Sequence, residues 1–460
     1  MKLMAEKIHR NHREINAWFA AYTSQVPPPF YCSVDLRDSG HKIVPVDSNL
    51  FPAGFNNICP EDLRTAPTVL RNQIDSILNQ LGHSNNQRVL IIPESHTQNA
   101  YYIENLFYLN QLIESAGFNT RIGWYGDLPN PTEPLVTLTS VTGKVLTAHP
   151  LRIEDGYLCA NDFIPDLILL NNDFSGGYPA LLDSVIQPIV PSHTLGWHSR
   201  KKSDHFKHYN RLANEFAEII GIDPWTIQID TEECHPVNFN EDLGIEEVAQ
   251  SVDRIIERTK KFYQAYQIDR KPFVFVKNNA GTYGIGIMVA HSGDEVRHMN
   301  RRTKNKMSVG KNRRTIDSLV VQEGVPTTMI VDRLIAEPVI YLFGAELIGG
   351  FLRTNTEKTD EDNLNAQGMA FRKLCMSDLR KLEADQLDSE ASDDLPSGVD
   401  GSSEIKDLPV LEIVYGAVAR ISALATGLEL AKSPKAGPSQ VASRGQPSRD
   451  PHHQARSPEL

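Results

Sequence analysis

Residues 272–290, Pro-Phe-Val-Phe-Val-Lys-Asn-Asn-Ala-Gly-Thr-Tyr-Gly-Ile-Gly-Ile-Met-Val-Ala, constrain this chain more than any other stretch. The run 273–277 is short, apolar and rich in β-branched and aromatic side chains, the signature of a buried strand. Pro272 stands at its first position, where a missing N–H is tolerated. Gly281, Gly284 and Gly286 then fall close together before strand character resumes over 285–290. The pattern is strand, glycine loop, strand. It lacks the Gly-Lys-Ser/Thr ending of a P-loop, and no helical pattern follows it as a dinucleotide fingerprint requires. Glycine N–H groups approach an anion with no Cβ in the way, and Lys277 would add a point charge beside them. A glycine-rich hairpin with a snorkelling lysine fits the same residues.

Further along, 319–325 (Leu-Val-Val-Gln-Glu-Gly-Val) is a second apolar strand ending in a polar pair. Residues 336–343 and 346–353 read as two strands that turn at 343–345 and finish on Arg353. Val-x-Lys, a glycine loop, Val-Gln-Glu and a hairpin ending in Arg together resemble the ATP-grasp fold, in which two α+β lobes hold ATP between antiparallel sheets. The wording at 276–288, 322–325, 336–339 (Ala-Glu-Pro-Val) and 363–368 (Asn-Leu-Asn-Ala-Gln-Gly) is similar to one branch. With 49–57 (Asn-Leu-Phe-Pro-Ala-Gly-Phe-Asn-Asn) and 196–203 (Gly-Trp-His-Ser-Arg-Lys-Lys-Ser), it resembles the proteobacterial and cyanobacterial glutamate–cysteine ligase family of ATP-grasp type. The resemblance runs from about residue 30 to about residue 430.

The resemblance implies an α/β and α+β chain: an α/β substrate-side domain over 1–205, then a two-lobed ATP-grasp domain. Residues 206–321 would hold a helical segment and the first lobe, and 322–430 the second. The implied reaction joins the γ-carboxylate of L-glutamate to the amine of L-cysteine through an acyl phosphate, with ATP and Mg2+. Another carboxylate–amine ligation on the same scaffold, or an ATP-binding regulatory protein without ligase activity, stay open as alternatives. The implied ATP contacts are Lys277, Gly281, Thr282, Tyr283, Gly284, Gly286, Gln322, Glu323 and Val325. Lys277 and Arg353 would be catalytic, Arg353 offering a fork to the acyl phosphate or to ATP. Substrate binding falls to Asp35, Arg37, Asp47, Asn49, Asn56 and Asn57, and magnesium to Glu337, Asn363 and Asn365. Many ATP-grasp ligases carry a Glu-x-Asn pair near the end of the domain; nothing after residue 408 has that spacing.

Composition excludes several classes. A net charge of −12 leaves nucleic acid without the phosphate neutralisation that drives its binding. No stretch approaches the ~18–20 apolar residues of a membrane span. Cys32, Cys59, Cys159, Cys234 and Cys375 are scattered, odd in number and free of Cys-x-x-Cys, which argues against a disulfide framework or a cysteine zinc site and fits a reducing cytoplasm.

Elsewhere, 5–24 carries a helical stripe closed by three prolines at 27–29, and 31–37 alternates as a half-buried strand with Ser33, Asp35 and Arg37 on one face. By composition alone, Asp35, Arg37 and Asp47 read as an internal ion pair and a turn carboxylate. Strands at 88–93, 120–125 and 166–170 with a helix at 101–116 imply a small α/β unit carrying a hairpin at 136–147. Asn171, Asn172 and Asp173 lie just past a strand end, which suits either ligand binding or turn chemistry. His198, His205 and His208 stand among Arg200, Lys201, Lys202 and Lys207, too basic a setting for a metal. That loop reads as a helix start capped by Ser203 or Asp204, or as a contact for an anion. The basic run 291–316 is a solvated face or part of a closure over ATP.

Residues 378–407 read as a disordered acidic insert and 431–460 as a disordered tail. The tail's few apolar residues cannot offset roughly 1–2 kcal/mol of backbone ordering per residue, and Pro434, Pro438, Pro447, Pro451 and Pro458 block a continuous helix. A chain ending at Ala431 is therefore expected to keep the full-length melting temperature and catalytic rate. A folded but inactive truncation would show that the tail supplies a ligand or lid.

Overall fold

The structure, a computed structural model, describes residues 1–82, 87–94, 99–125, 135–174, 178–193, 196, 199–280, 286–309, 316–375 and 410–432. The acidic insert, the chain beyond Lys432, and the expected phosphate residues Gly281, Thr282, Tyr283 and Gly284 lie outside them.

The chain opens with α1 (Lys2–Arg10), α2 (His12–Gln25), β1 (Tyr31–Asp38) and β2 (Ile43–Asn49). Next come α3 (Ala66–Gln80), β3 (Arg88–Pro93), α4 (Ala100–Ser115) and β4 (Asn119–Trp124). Strands β5 (Val136–Thr139), β6 (Val145–Glu154), β7 (Tyr157–Ala160), β8 (Leu167–Asn171) and β9 (Ile189–Val190) follow. Then come α5 (Lys202–Ile220), β10 (Thr231–Cys234), α6 (Ile245–Ala265), β11 (Val274–Asn278) and β12 (Ile287–Ala290). The short helices α7 (Gly293–Arg297) and α8 (Arg301–Ser308) lead to β13 (Leu319–Glu323), β14 (Ile330–Val331) and β15 (Leu334–Phe343). Strands β16 (Glu346–Asn355) and β17 (Met369–Leu374) and helix α9 (Val410–Lys432) complete the described chain.

Three sheets result. β3, β4, β8 and β9 run parallel, with the β5–β6 hairpin and β7 at one side. A four-stranded antiparallel sheet has the order β10-β13-β11-β12. The third sheet has the order β17-β16-β15-β1-β2, with β14 on β15. Sheet membership therefore departs from sequence order. β1 pairs with β15 from the other end of the chain, and β2 pairs with β1 at the sheet's edge.

Strand alternation explains what covers the third sheet. Cys32, Val34 and Leu36 of β1, Ile340 and Leu342 of β15 and Leu352 of β16 pack with α9, α5, α1 and α2. The opposite face of the same strands begins as core, with Tyr31, Val339, Tyr341, Phe343 and Phe351 packed toward the parallel sheet. Further along the strands that face turns charged. β1 is consequently buried on both sides, where its alternation suggested one. In the four-stranded sheet, Val274, Val276, Leu319 and Val321 face Val248, Val252, Ile255 and Ile256 of α6. Each such side chain contributes about 1.5–3 kcal/mol on full burial, so apolar packing fixes how the sheets are held.

α9 runs through this packing. Glu412–Lys432 is long and apolar enough to cross a membrane, contrary to the composition-based expectation, yet 78% of its apolar window is buried inside the protein. It is a core helix. Its last turn is tied by an ionic cluster. Arg200 donates from Nε to Glu429 Oε2 at 2.8 Å and from Nη2 to Oε1 at 3.0 Å, and His205 Nδ1 lies 2.5 Å from the same Oε1. Burial would raise the Glu429 carboxyl, but Arg200 and His205 outweigh it and hold it down at about 2.

The cysteines depart from expectation. Cys59 and Cys375 form a disulfide with Cα atoms 5.1 Å apart, joining segments 316 residues apart. Spacing along the chain cannot reveal such a pair, because it arises only when β17 takes the edge of the third sheet. Cys32, Cys159 and Cys234 are free and buried.

Glu429→Ala would remove the carboxylate that Arg200 grips with two nitrogens in the core. A loss of about 3–5 kcal/mol is expected, read from denaturant unfolding, with the double change Arg200→Met/Glu429→Leu recovering most of it. Because the Glu429 pKa is depressed, its contribution is complete above the ordinary 4.5 and fades as pH falls from there toward about 2. An unchanged denaturation midpoint in Glu429→Ala would show that the cluster does not hold α9.

Candidate active site

The charged face of the third sheet meets the face of the four-stranded sheet that is turned away from α6, and a partly open cleft lies between them. From the third sheet come Asp35, Asp47, Glu337 and Arg353, and Arg37 reaches in from β1. Register places them. Glu337 stands directly opposite Arg353, and Asp35 opposite Asp47. β11 contributes Phe275 and Lys277, whose alternate neighbours Val274 and Val276 point into the α6 core. Lys202, the first residue of α5, and Asn363 and Asn365, from the loop between β16 and β17, close the ring.

Four of these side chains interlock. Arg353 Nη1 donates to Asp35 Oδ2 and to Glu337 Oε1, both at 2.7 Å. Arg37 Nε donates to Glu337 Oε2 at 3.2 Å. All four are at least nine-tenths buried. Burial would weaken the Arg353 cation, but Asp35 and Glu337 more than reverse this and raise its pKa. Burial pushes the Asp35 carboxyl up even against Arg353. Two polar atoms of this set, Asp35 Oδ1 and Arg353 Nε, have no hydrogen-bond partner among the described residues. One buried acceptor and one buried donor are thus left for an incoming group.

Arg37 does more than pair with Glu337. Its Nη1 donates to the carbonyls of Val325 and Asp360, and its Nη2 to that of Asp362. It thereby fastens the β16–β17 loop to the segment after β13. Within that loop Asn355 Nδ2 holds the carbonyls of Leu364 and Gln367. Asn363 and Asn365 are held at the cleft by these bonds.

Two lysines lie on the other side. Lys277 Nζ donates to Gln322 Oε1 at 2.5 Å and to the Val46 carbonyl at 3.2 Å, above the Phe275 ring. Burial lowers its pKa to about 7, the nearby Asp47 opposing and Lys202 assisting the shift. Lys202 Nζ donates to Asp47 Oδ1 at 2.5 Å. Burial alone would raise the Asp47 carboxyl, but Lys202 and Lys277 hold it below its ordinary value. Two amines and a guanidinium converging on a partly closed cleft suit a polyanion.

The start of α5 departs from the expected cap. Neither Ser203 nor Asp204 provides it. Asn279, fully buried just after β11, accepts from Ser203 N through Oδ1, while its backbone carbonyl accepts from Lys202 N. Asn279 Nδ2 donates to Ser203 Oγ, Glu233 Oε1 and Ser318 Oγ. The turn that enters the glycine loop and the turn that presents Lys202 are therefore one rigid piece. Asn278 N donates to the Gly286 carbonyl, closing that loop at its base, and Gly286 adopts φ +69°, a conformation glycine takes at little cost.

The other expected residues are distributed as follows. Gln322 orients Lys277, with its own Nε2 unpartnered among the described residues. The Glu323 carboxylate faces away, accepting from Lys42 Nζ at 2.6 Å and from Asp230 N. Its backbone N–H donates to the Asp230 carbonyl, so at most its own carbonyl remains for a ligand. Val325 joins a small apolar cluster with Val44, Val46, Phe206 and Ile229. Asn49, Asn56 and Asn57 do not line the cleft; Asn56 Nδ2 donates to Asn57 Oδ1, and Asn49 pairs with Ser33 in the strand ladder. Asn171 and Asn172 serve the parallel sheet's own packing, bonding Tyr31 Oη, Tyr125 Oη and nearby carbonyls. In the described part of the basic run, Arg297 and Lys304 pair with surface carboxylates of other segments. Lys202 is the residue that sequence reasoning placed least well. The signal was its position, the last of three consecutive cations at a helix start.

A sequence profile of the glutamate-cysteine ligase family matches residues 5–430. A solved protein of Methylobacillus flagellatus KT, provisionally assigned as a gamma-glutamylcysteine synthetase, is 33% identical over 94% of this chain and 96% of its own, with a TM-score of 0.81. A glutathione synthetase-like effector from Globodera pallida in apo form aligns at 10% identity over 81% of this chain and 83% of its own, with a TM-score of 0.37. No curated protein matches. The profile spans all three sheets and the whole charged cleft between them, and the chain is an enzyme of the glutamate–cysteine ligase family.

Proposed function

We propose that the cleft joins glutamate to cysteine at the expense of ATP through γ-glutamyl phosphate, on an ATP-grasp scaffold whose two lobes are the four-stranded sheet and the third sheet. The observation that carries this reading is the placement of Lys277, a buried lysine held by Gln322, facing Lys202 and the Asp35–Arg353 pair across one cleft. A carboxylate is a poor electrophile, and phosphorylation makes it one that an amine can attack. Little covalent work then falls to the protein, which positions reactants and screens charge.

In this reading Lys277 and Lys202 hold the phosphates. The Glu323 carbonyl, the backbone of Val325 and the apolar cluster at Val325 receive the base. Asp35 Oδ1 takes a substrate ammonium, and Arg353 Nε lies against the carboxylate that becomes the acyl phosphate. Asp47 keeps Lys202 aimed. Glu337, Asn363 and Asn365 would hold magnesium. Carboxylate and amide oxygens are the donors that ion prefers, and Glu337, Asn363 and Asn365 line the same cleft. Magnesium supplies charge neutralisation on the phosphate oxygens. Arg37 acts from behind, keeping Glu337 and the β16–β17 loop in register.

Hydroxylamine in place of cysteine is expected to yield γ-glutamyl hydroxamate together with ADP. AMP and pyrophosphate would instead mean adenylation and overturn the acyl phosphate.

Proton linkage tests Lys277 directly. At pH 8 the free enzyme carries it largely neutral, and a polyphosphate beside it favours the charged form. Binding of MgATP at pH 8 should therefore take up close to one proton from the buffer, and at pH 6 almost none from this group. Calorimetry in buffers of different ionisation enthalpy reads the uptake. Lys277→Met should abolish it and weaken binding by about 1.5–3 kcal/mol. Unchanged uptake in a folded Lys277→Met protein would remove Lys277 from the phosphate site.

A further inference from the structure

We propose that Cys59 and Cys375 form a thiol–disulfide exchange site for a low-molecular-weight thiol, and that the state of this bond sets how firmly the β16–β17 loop is held at the active site. The activity part rests on the ligase reading above; the chemistry of the bond does not. Cys59 is fully buried, whereas Cys375 is partly exposed at the end of β17. An incoming thiolate is thus directed to Cys375. Glu61 Oε2 lies 2.8 Å from Cys59 Sγ and 3.8 Å from Cys375 Sγ, so a carboxylate stands ready to accept from the Cys59 thiol once the bond opens. Disulfides inside reducing compartments are usually transient, catalytic or redox-sensing.

The bond's place in the fold gives it leverage. β17 is the edge strand of the third sheet, pairing Phe371 with Arg353 and Leu374 with Gly350. The segment carrying Cys59 lies hard against the neighbouring strand. Gly349 has φ +128°, and a Cβ there would come within 2.7 Å of Ile58 and 3.0 Å of Asp62. The disulfide fastens the outgoing end of β17 to that segment. Its incoming end is the loop that brings Asn363 and Asn365 to the cleft. Arg37 and Asn355 hold this loop from inside, and the disulfide is its anchor from outside.

The exchange balances without any further reactant. A thiolate RS⁻ attacks Cys375 Sγ, the S–S bond breaks, and Cys59 leaves as a thiolate that takes a proton from solvent. A second RS⁻ attacks the small-molecule sulfur of the mixed disulfide, releasing Cys375. The net change is one protein disulfide and two RSH going to two protein thiols and RSSR. The oxidised form is the one with the loop anchored. A rise in small thiols therefore lowers turnover, and their oxidation restores it.

The test equilibrates the full chain in buffers of reduced and oxidised glutathione, then alkylates under native conditions and locates the label by mass. Cys375 should be labelled in reducing buffer and not in oxidising buffer, with the buried Cys32, Cys59, Cys159 and Cys234 unlabelled throughout. Hydrogen exchange over 356–374 should speed up on reduction. The ligase rate should fall by about five-fold or more, the lower end of typical coupling between sites, and recover on reoxidation. Cys375→Ser should fix the faster exchange and lower rate in either buffer. Labelling of Cys375 in oxidising buffer overturns the proposal. So does stoichiometric zinc that protects the reduced pair, or reduction that leaves the exchange over 356–374 unchanged. Labelling and hydrogen exchange need no catalysis, so their success beside an absent ligase rate would count against the ligase reading alone.

Discussion

The active site depends on one physical constraint: Asp35, Arg37, Glu337 and Arg353 must be buried together or not at all. Taking a single ion out of water costs several kcal/mol, which only well-placed partners offset. Here each cation touches a carboxylate and Glu337 accepts from both arginines. Removing Arg353 would leave Asp35 without its cation and Glu337 with Arg37 alone. The partners meet because β1, β15 and β16 are in fixed register, and the register is held by the apolar faces on the other side of the same strands. Packing energy is thereby converted into electrostatic order.

A second constraint links the two sheets. Asn279 joins the base of the glycine loop to the first turn of α5, so Lys277 and Lys202 cannot move independently. Arg37 does the same between the segment after β13 and the β16–β17 loop. Both residues spend nearly all their hydrogen-bonding capacity on protein partners. Their contribution is to place other groups.

Much of this is legible in local sequence pattern. Period-two alternation marks Asp35 and Arg37 as sharing a face, and Val-x-Lys with the Gln-Glu pair marks β11 and β13. Helix α9 is legible from its apolar spacing. Whatever depends on distant segments meeting is not. The pairing of β1 with β15, the Lys202–Asp47 contact, the turning of Glu323 toward Lys42 and the Cys59–Cys375 bond all join residues whose proximity no local pattern encodes. Asn49, Asn56 and Asn57 show the converse. Their motif resembles the family's, and in the structure Asn56 donates to Asn57 while Asn49 stands opposite Ser33 in the strand ladder, outside the lining of the cleft.

The placement of β1 bears on how the chain reaches this state. Arg37 and Glu337 are 300 residues apart, and among the described strands β1 has its long-range ladder with β15. During synthesis the first strand leaves the ribosome long before its partner exists, and loop closure over such a span precedes any reward from pairing. Until then the β1–β2 ribbon offers a free apolar edge, a surface prone to wrong association. The parallel sheet and its helices can close from contiguous sequence, so the central sheet that carries the chemistry is the part that must assemble last.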